Sequence, residues 1–159
     1  LLIVTFGFKF QSMSQHRFNI RVYGLLINEK NEVLITDEYR SGLFFTKFPG
    51  GGLEWGEGLK DCLIREFKEE LSIDIVPGEL FYCTDFFVAS AWKETDQLIS
   101  VYYMVNYPRV NELTFELYPL PSREERELFR WLPLDEIGAH HFTFPIDQFV
   151  AEKLKNNPW

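Results

Sequence analysis

Three glutamates, Glu66, Glu69 and Glu70, follow Arg65 at positions i, i+3 and i+4 of one another. On a helix that spacing gathers carboxylates on one wall, and hard divalent cations take oxygen ligands. Another acid, Glu57, lies upstream, behind a run of three glycines, Gly50, Gly51 and Gly52. Glycine loses the most backbone entropy in a regular element, so the run is expected as a loop that brings backbone close to a ligand or metal. From Leu59 to Leu71 there is no Gly or Pro, and apolar residues fall at 59, 62, 63, 67 and 71, which predicts a helix. At about 100° per residue, Glu66 and Glu70 fall inside its apolar arc and Glu69 at its edge. Acids facing a core are costly unless a cation meets them. The alternative is a solvated helix with an Arg65–Glu69 pair, worth roughly 0.2–0.5 kcal/mol. It leaves unexplained why the acids interrupt the apolar arc.

The segment resembles the Nudix box, the signature of the Nudix (MutT-type) hydrolases. Gly51, Glu57, Arg65-Glu66, Phe67, Glu69-Glu70 and Ile73 occupy its defined positions, and Ser72 stands where the family has glycine. The resemblance implies an α/β fold, the Nudix α/β/α sandwich, with a mixed sheet between the box helix and a C-terminal helix. It implies metal-dependent hydrolysis, with Mg²⁺ or Mn²⁺, of a phosphoanhydride bond in a nucleoside diphosphate linked to another group. It assigns metal binding to Glu66, Glu69, Glu70 and the Gly50 carbonyl. Glu66 is favoured as base, Arg65 orients the cluster, and Glu57 closes the loop. A further acid from a later loop is expected from Glu125 or Glu124. The alternative is a Nudix-fold module that binds a nucleotide metabolite without cleaving it, and the intact acids argue against that.

Composition sets bounds. A chain of 159 residues, 46% hydrophobic and 17% aromatic, fits one domain with a real core. Residues 1–17 are expected as an N-terminal extension and residues 18–159 as the domain. Residues 1–12 are expected to precede the native start, near Met13, with a short N-terminal strand as the alternative. The formal charge of −8 argues against a nucleic-acid polymer as partner, and an anionic small-molecule substrate then needs a local cation. Arg40 and Lys47 are candidates, with Gly51 and Gly52 as backbone contacts. The two cysteines share no metal spacing, so reduced thiols and a cytoplasmic setting are expected. No apolar run reaches the ~18 residues of a membrane span, and no signal peptide is expected in the short apolar stretch Leu1–Phe10, which Lys9 interrupts. A homodimer is compatible with this composition.

The positioning elements follow from periodicity. Residues 18–36 read as a hairpin turning at Asn28–Asn31, and Leu43–Phe48 as an apolar segment leading into the glycines. Pro77-Gly78 reads as a turn, with a hairpin of Leu80–Ala89 and Leu98–Tyr107 after it. A short strand, Phe129–Leu132, precedes a short helix, Leu134–Ile137. A last helix, Ile146–Lys155, carries Ile146, Phe149, Val150 and Leu154 on one face. Tyr39, Trp55 and Trp92 are candidates for stacking on a base. Ser72 falls where a left-handed residue commonly closes a helix.

Overall fold

The computed structural model describes residues 16–115 and 126–157. Glu124, Glu125 and residues 1–12 lie outside the described residues. Seven strands and two α-helices are formed among those described, in the order β1 (Arg17–Leu26), β2 (Glu32–Arg40), β3 (Leu43–Lys47), β4 (Gly50–Gly52), α1 (Leu59–Leu71), β5 (Val76–Cys83), β6 (Asp96–Asn106), β7 (Arg126–Pro133) and α2 (Pro145–Lys155). One sheet has the order β4-β1-β6-β5 and the other β3-β2-β7. The first is mixed, because β1 runs parallel to β6 and antiparallel to β4.

The central strands are apolar on both faces, as strands covered on both sides must be. On one face, Val22, Leu26, Leu34, Val101 and Val105 pack against Cys62, Leu63 and Phe67 of α1. On the other, Tyr23, Leu25, Ile35 and Tyr102 pack against Ile146, Val150 and Leu154 of α2. Strand alternation therefore sorts the buried residues of β1, Val22 and Leu26 toward α1 and Tyr23 and Leu25 toward α2. Gly24 lies under α1, where a Cβ would stand 2.6 Å from the Phe67 ring and 2.8 Å from Val105. The helix approaches the sheet that closely only because no side chain is there.

Helix α1 has the expected bounds, and Ser72 closes it at φ 56°, ψ 30°, in the left-handed region. Several expectations about strands are corrected. Residues 18–36 do not form a hairpin ladder: β1 and β2 enter different sheets and meet only at the Ile27–Val33 bridge. The partners that won are the distant β6 and β7, which offer longer ladders and two-sided burial. The glycines form the edge strand β4 rather than a free loop. Gly50, at φ 128°, runs so close to the Val22 carbonyl that a Cβ would collide with it. Pro77-Gly78 lies inside β5, where the register shifts, and that strand ends at Cys83 instead of Ala89. β7 is longer than Phe129–Leu132, and Leu134–Ile137 is one hydrogen-bonded turn rather than a helix. Phe149 of α2 is 44% exposed, packed on Tyr82 and Phe86, while Asp147 takes a core position.

Candidate active site

The site forms where β4 meets α1. Arg65 holds the junction. Its Nε donates to Glu57 Oε2 at 3.0 Å and its Nη2 to Glu57 Oε1 at 2.7 Å, a two-pronged pair. Nη2 also donates to the Gly52 carbonyl at 3.0 Å, and Nη1 to Glu66 Oε1 at 2.8 Å and Glu69 Oε2 at 3.3 Å. One guanidinium thus ties the 54–57 loop, the glycine strand and two helix acids together, as its fixed fork of donors allows. The hydrogen bonds from Arg65 hold the Glu57 carboxyl down to about 2. The Glu66 carboxylate lies over Gly51, so closely that a Cβ there would strike both oxygens. Cys62, buried beneath, donates its thiol to the Gly52 carbonyl at 3.4 Å. Burial pushes that thiol up to about 12, so it stays neutral.

Glu70 turns the other way, toward β2 and β3. Lys47, only 4% exposed, sets its Nζ 2.8 Å from Glu38, 2.9 Å from the Gly50 carbonyl and 3.8 Å from Glu127. Burial works to lower the Lys47 pKa, but the charges of Glu70 and Glu38 outweigh it and the net shift is upward. Burial raises Glu70 to about 7, against the pull of Lys47. Glu127 is also raised, by burial and then by Glu70. Glu70 Oε2 and Glu127 Oε1 are buried without a hydrogen-bond partner.

The sequence-expected acids are thus brought to one place but not onto one point. Among the described residues no three acid, His or Cys side chains stand close enough to hold an ion as they are. Glu66 and Glu69 are drawn to Arg65, Glu69 lies out in solvent, and Glu70 is drawn to Lys47. The donor chemistry nonetheless fits Mg²⁺ or Mn²⁺: the oxygens are carboxylate, and Glu70 and Glu127 each keep one unsatisfied. The Gly50 carbonyl already accepts from Lys47, and its second lone pair remains for a cation.

Beside the acids opens a cavity of about 450 Å³, within the range of small-molecule sites. Arg21, Tyr23, Trp92, Ser100, Tyr102 and Asp147 help to line it. Lys47 reaches it, and Arg40 stands at its exposed rim. Of the three aromatics proposed to stack, only Trp92 lines it; Trp55 is fully exposed. Asp147, 2% exposed, accepts from the Tyr102 hydroxyl at 2.8 Å, and burial raises it to about 7. Sequence reasoning missed Arg21, Tyr23, Glu38, Tyr102, Glu127 and Asp147. A signal existed for Asp147, which falls with Ile146, Val150 and Leu154 on the apolar stripe of α2, as the glutamates do on α1.

Known proteins resemble this chain in sequence and in fold. The NUDIX domain pattern matches residues 17–153. The chain is 30% identical over 87 residues to the uncharacterized Nudix hydrolase YvcI of Bacillus subtilis, a match covering 55% of this chain and 51% of that protein. The chain therefore spans about half the length of that relative. It is 27% identical to the 8-oxo-dGTP diphosphatase of Escherichia coli, covering 83% of this chain and 92% of that one. In fold it is similar to the MutT protein of Methanosarcina mazei, with a TM-score of 0.64, 24% identity, and 90% and 96% of the two chains covered. The E. coli ORF135 protein gives a TM-score of 0.61 at 18% identity, with 86% and 88% covered. With the box residues, the mixed sheet and a pattern matched over residues 17–153, the chain belongs to the NUDIX domain family.

Proposed function

We propose that this protein hydrolyses a phosphoanhydride bond in a nucleoside diphosphate linked to another group, with Mg²⁺ or Mn²⁺ as cofactor. One observation carries the reading: buried carboxylate oxygens of Glu70 and Glu127 lack a hydrogen-bond partner in a group of acids beside a cavity of small-molecule size. Burying an unsatisfied carboxylate is costly, and a divalent cation relieves the cost.

Glu66, Glu69 and Glu70 would hold the ion, with the Gly50 carbonyl as a further donor. When bound, a divalent ion neutralises charge on phosphoryl oxygens and makes water a stronger nucleophile. The protein's own groups do the rest. Glu66 is poised over the glycine backbone to accept a proton from the attacking water. Arg65 fixes Glu66 and the Gly52 carbonyl in one frame, so the acid's direction is set before substrate arrives. Glu57 keeps Arg65 in that frame. The cavity would take the nucleoside half, with Trp92 against the base and Asp147 at its polar edge.

A hydrolysis panel read by chromatography of the nucleotide products tests the reading, using oxidised deoxynucleoside triphosphates, nucleotide sugars, ADP-ribose and dinucleoside polyphosphates, each with Mg²⁺ and with EDTA. Cleavage of at least one class, abolished by EDTA, is expected. No cleavage of any class with either Mg²⁺ or Mn²⁺ would contradict it.

A further inference from the structure

We propose that Arg21 is the cation that binds the phosphate attached to the nucleoside, and that Lys47 and Arg40 are not. The inference rests on the cavity holding the nucleoside half. The chain carries a formal charge of −8, and Glu38 and Asp147 are among the cavity's lining, so an anionic substrate needs a nearby cation with free donors.

Three cations reach the cavity among the described residues. Lys47 is committed to the protein's own acceptors: its ammonium stands 2.8 Å from Glu38 and donates to the Gly50 carbonyl at 2.9 Å, and Glu127 at 3.8 Å adds a further negative charge beside it. Its role is to neutralise that side of the acid group. Arg40 is exposed, the last residue of β2 before the tight Ser41-Gly42 turn, where solvent screens its charge.

Arg21 is different. It sits mid-strand on β1, on the cavity face with Tyr23, and is half-buried. Its Nε donates to the Tyr23 hydroxyl at 2.7 Å, which fixes the plane of the guanidinium. Neither amino end has a hydrogen-bond acceptor among the described residues. The cross-strand partner of Arg21 is Gly52, and Nη1 lies 4.0 Å from the point a Cβ on Gly52 would occupy. Glycine there leaves the guanidinium open on the side of β4, where the acids begin. The charges of Glu66 and Glu38 reach Arg21, after the stronger influence of Tyr23 and of burial. Arg21 thus stands between the nucleoside cavity and the hydrolytic acids. Its two free amino ends form the fork that matches two phosphoryl oxygens.

The test needs no metal and no turnover. Dissociation constants are measured in EDTA for adenosine, guanosine, cytidine and uridine and for their 5′-monophosphates. For at least one base the wild-type protein should bind the monophosphate roughly tenfold or more tighter than the nucleoside, as a charge-assisted pair provides. Arg21→Gln should erase that preference, so that monophosphate and nucleoside bind about equally, and measurable nucleoside binding by the variant shows the cavity intact. Arg21→Lys, which keeps the charge and loses the fork, should give an intermediate preference. If Arg21→Gln keeps the full preference, the assignment of Arg21 is wrong while the cavity reading stands. If none of the eight compounds binds at millimolar concentration, the cavity reading falls and this inference falls with it.

Discussion

Single residues in this protein are set by what faces them. Asp147 is the clearest case. Burial raises it from an ordinary 3.8 to about 7, and the Tyr102 hydroxyl only partly offsets that. A carboxyl whose folded pKa is raised contributes stability in full below its unfolded pKa and loses it as pH rises through the folded value. The loss therefore runs from about pH 4 to above pH 7. Asp147→Asn keeps an oxygen for Tyr102 and has no charge to bury. The melting temperature of the variant relative to wild type should climb across that window and then level off. At ~1.36 kcal/mol per unit, the ceiling is roughly 4 kcal/mol. A pH-independent difference would show that Asp147 is not held neutral by burial. The left-handed Ser72 is a second residue-scale case. Ser72→Gly should raise stability by about 1 kcal/mol and leave the hydrolytic rate within about 3-fold, because its side chain is exposed and lies outside the acid group. A large loss of rate with intact circular dichroism would mean the position has been retuned for function.

At the scale of elements, α1 was legible and the sheets were not. The helix announced itself through five apolar residues at 3.6-residue spacing, a glycine before it and a closing residue after it. Even its oddity, acids in the apolar arc, shows in the order of residues alone. Strand existence was legible too, but pairing was not. β1 and β2 look like a hairpin because they are adjacent and joined by a turn. They separate because both of their faces need covering, a demand that no local window contains. The glycine strand was hidden for a related reason: its ladder with β1 is specified by closeness of backbone, with no side-chain pattern to read. Gly24 tests that closeness directly. Phe67 and Val105 are fixed in the core, so Gly24→Ala must push α1 from the sheet or force a rotamer change. A loss of roughly 1–3 kcal/mol is expected in urea unfolding, with the overpacking signature of an unchanged denaturant slope. An unaltered midpoint would show that α1 packs more loosely on the sheet than these distances imply.

For the whole molecule, the site is a meeting of parts that are distant in sequence. Glu66, Glu69 and Glu70 come from α1, Glu57 from the loop before it, Lys47 and Glu38 from the β2–β3 pair, Glu127 from β7, and the cavity floor from β1, β6 and α2. The box residues were legible because they share one segment with fixed spacing. Arg21, Glu127 and Asp147 were not, because only the closed sandwich brings them together. If the acids hold a divalent ion, the ion binds the folded chain and not the unfolded one. Mg²⁺ should then raise the melting temperature, by about 2.7 kcal/mol of stability at 100 times its dissociation constant. Calorimetric melts with Mg²⁺, with Mn²⁺ and with EDTA would check this, and superimposable melts would speak against an ion among the acids.

The most direct test is the hydrolytic rate of Glu66→Gln and Glu70→Gln on the best substrate from the panel. Each change removes a charge and preserves volume, so the fold should persist by circular dichroism. Loss of a metal-binding carboxylate should lower the rate by about 10²-fold or more. Near-wild-type rates in both variants would contradict the assignment of hydrolysis to the acids of α1.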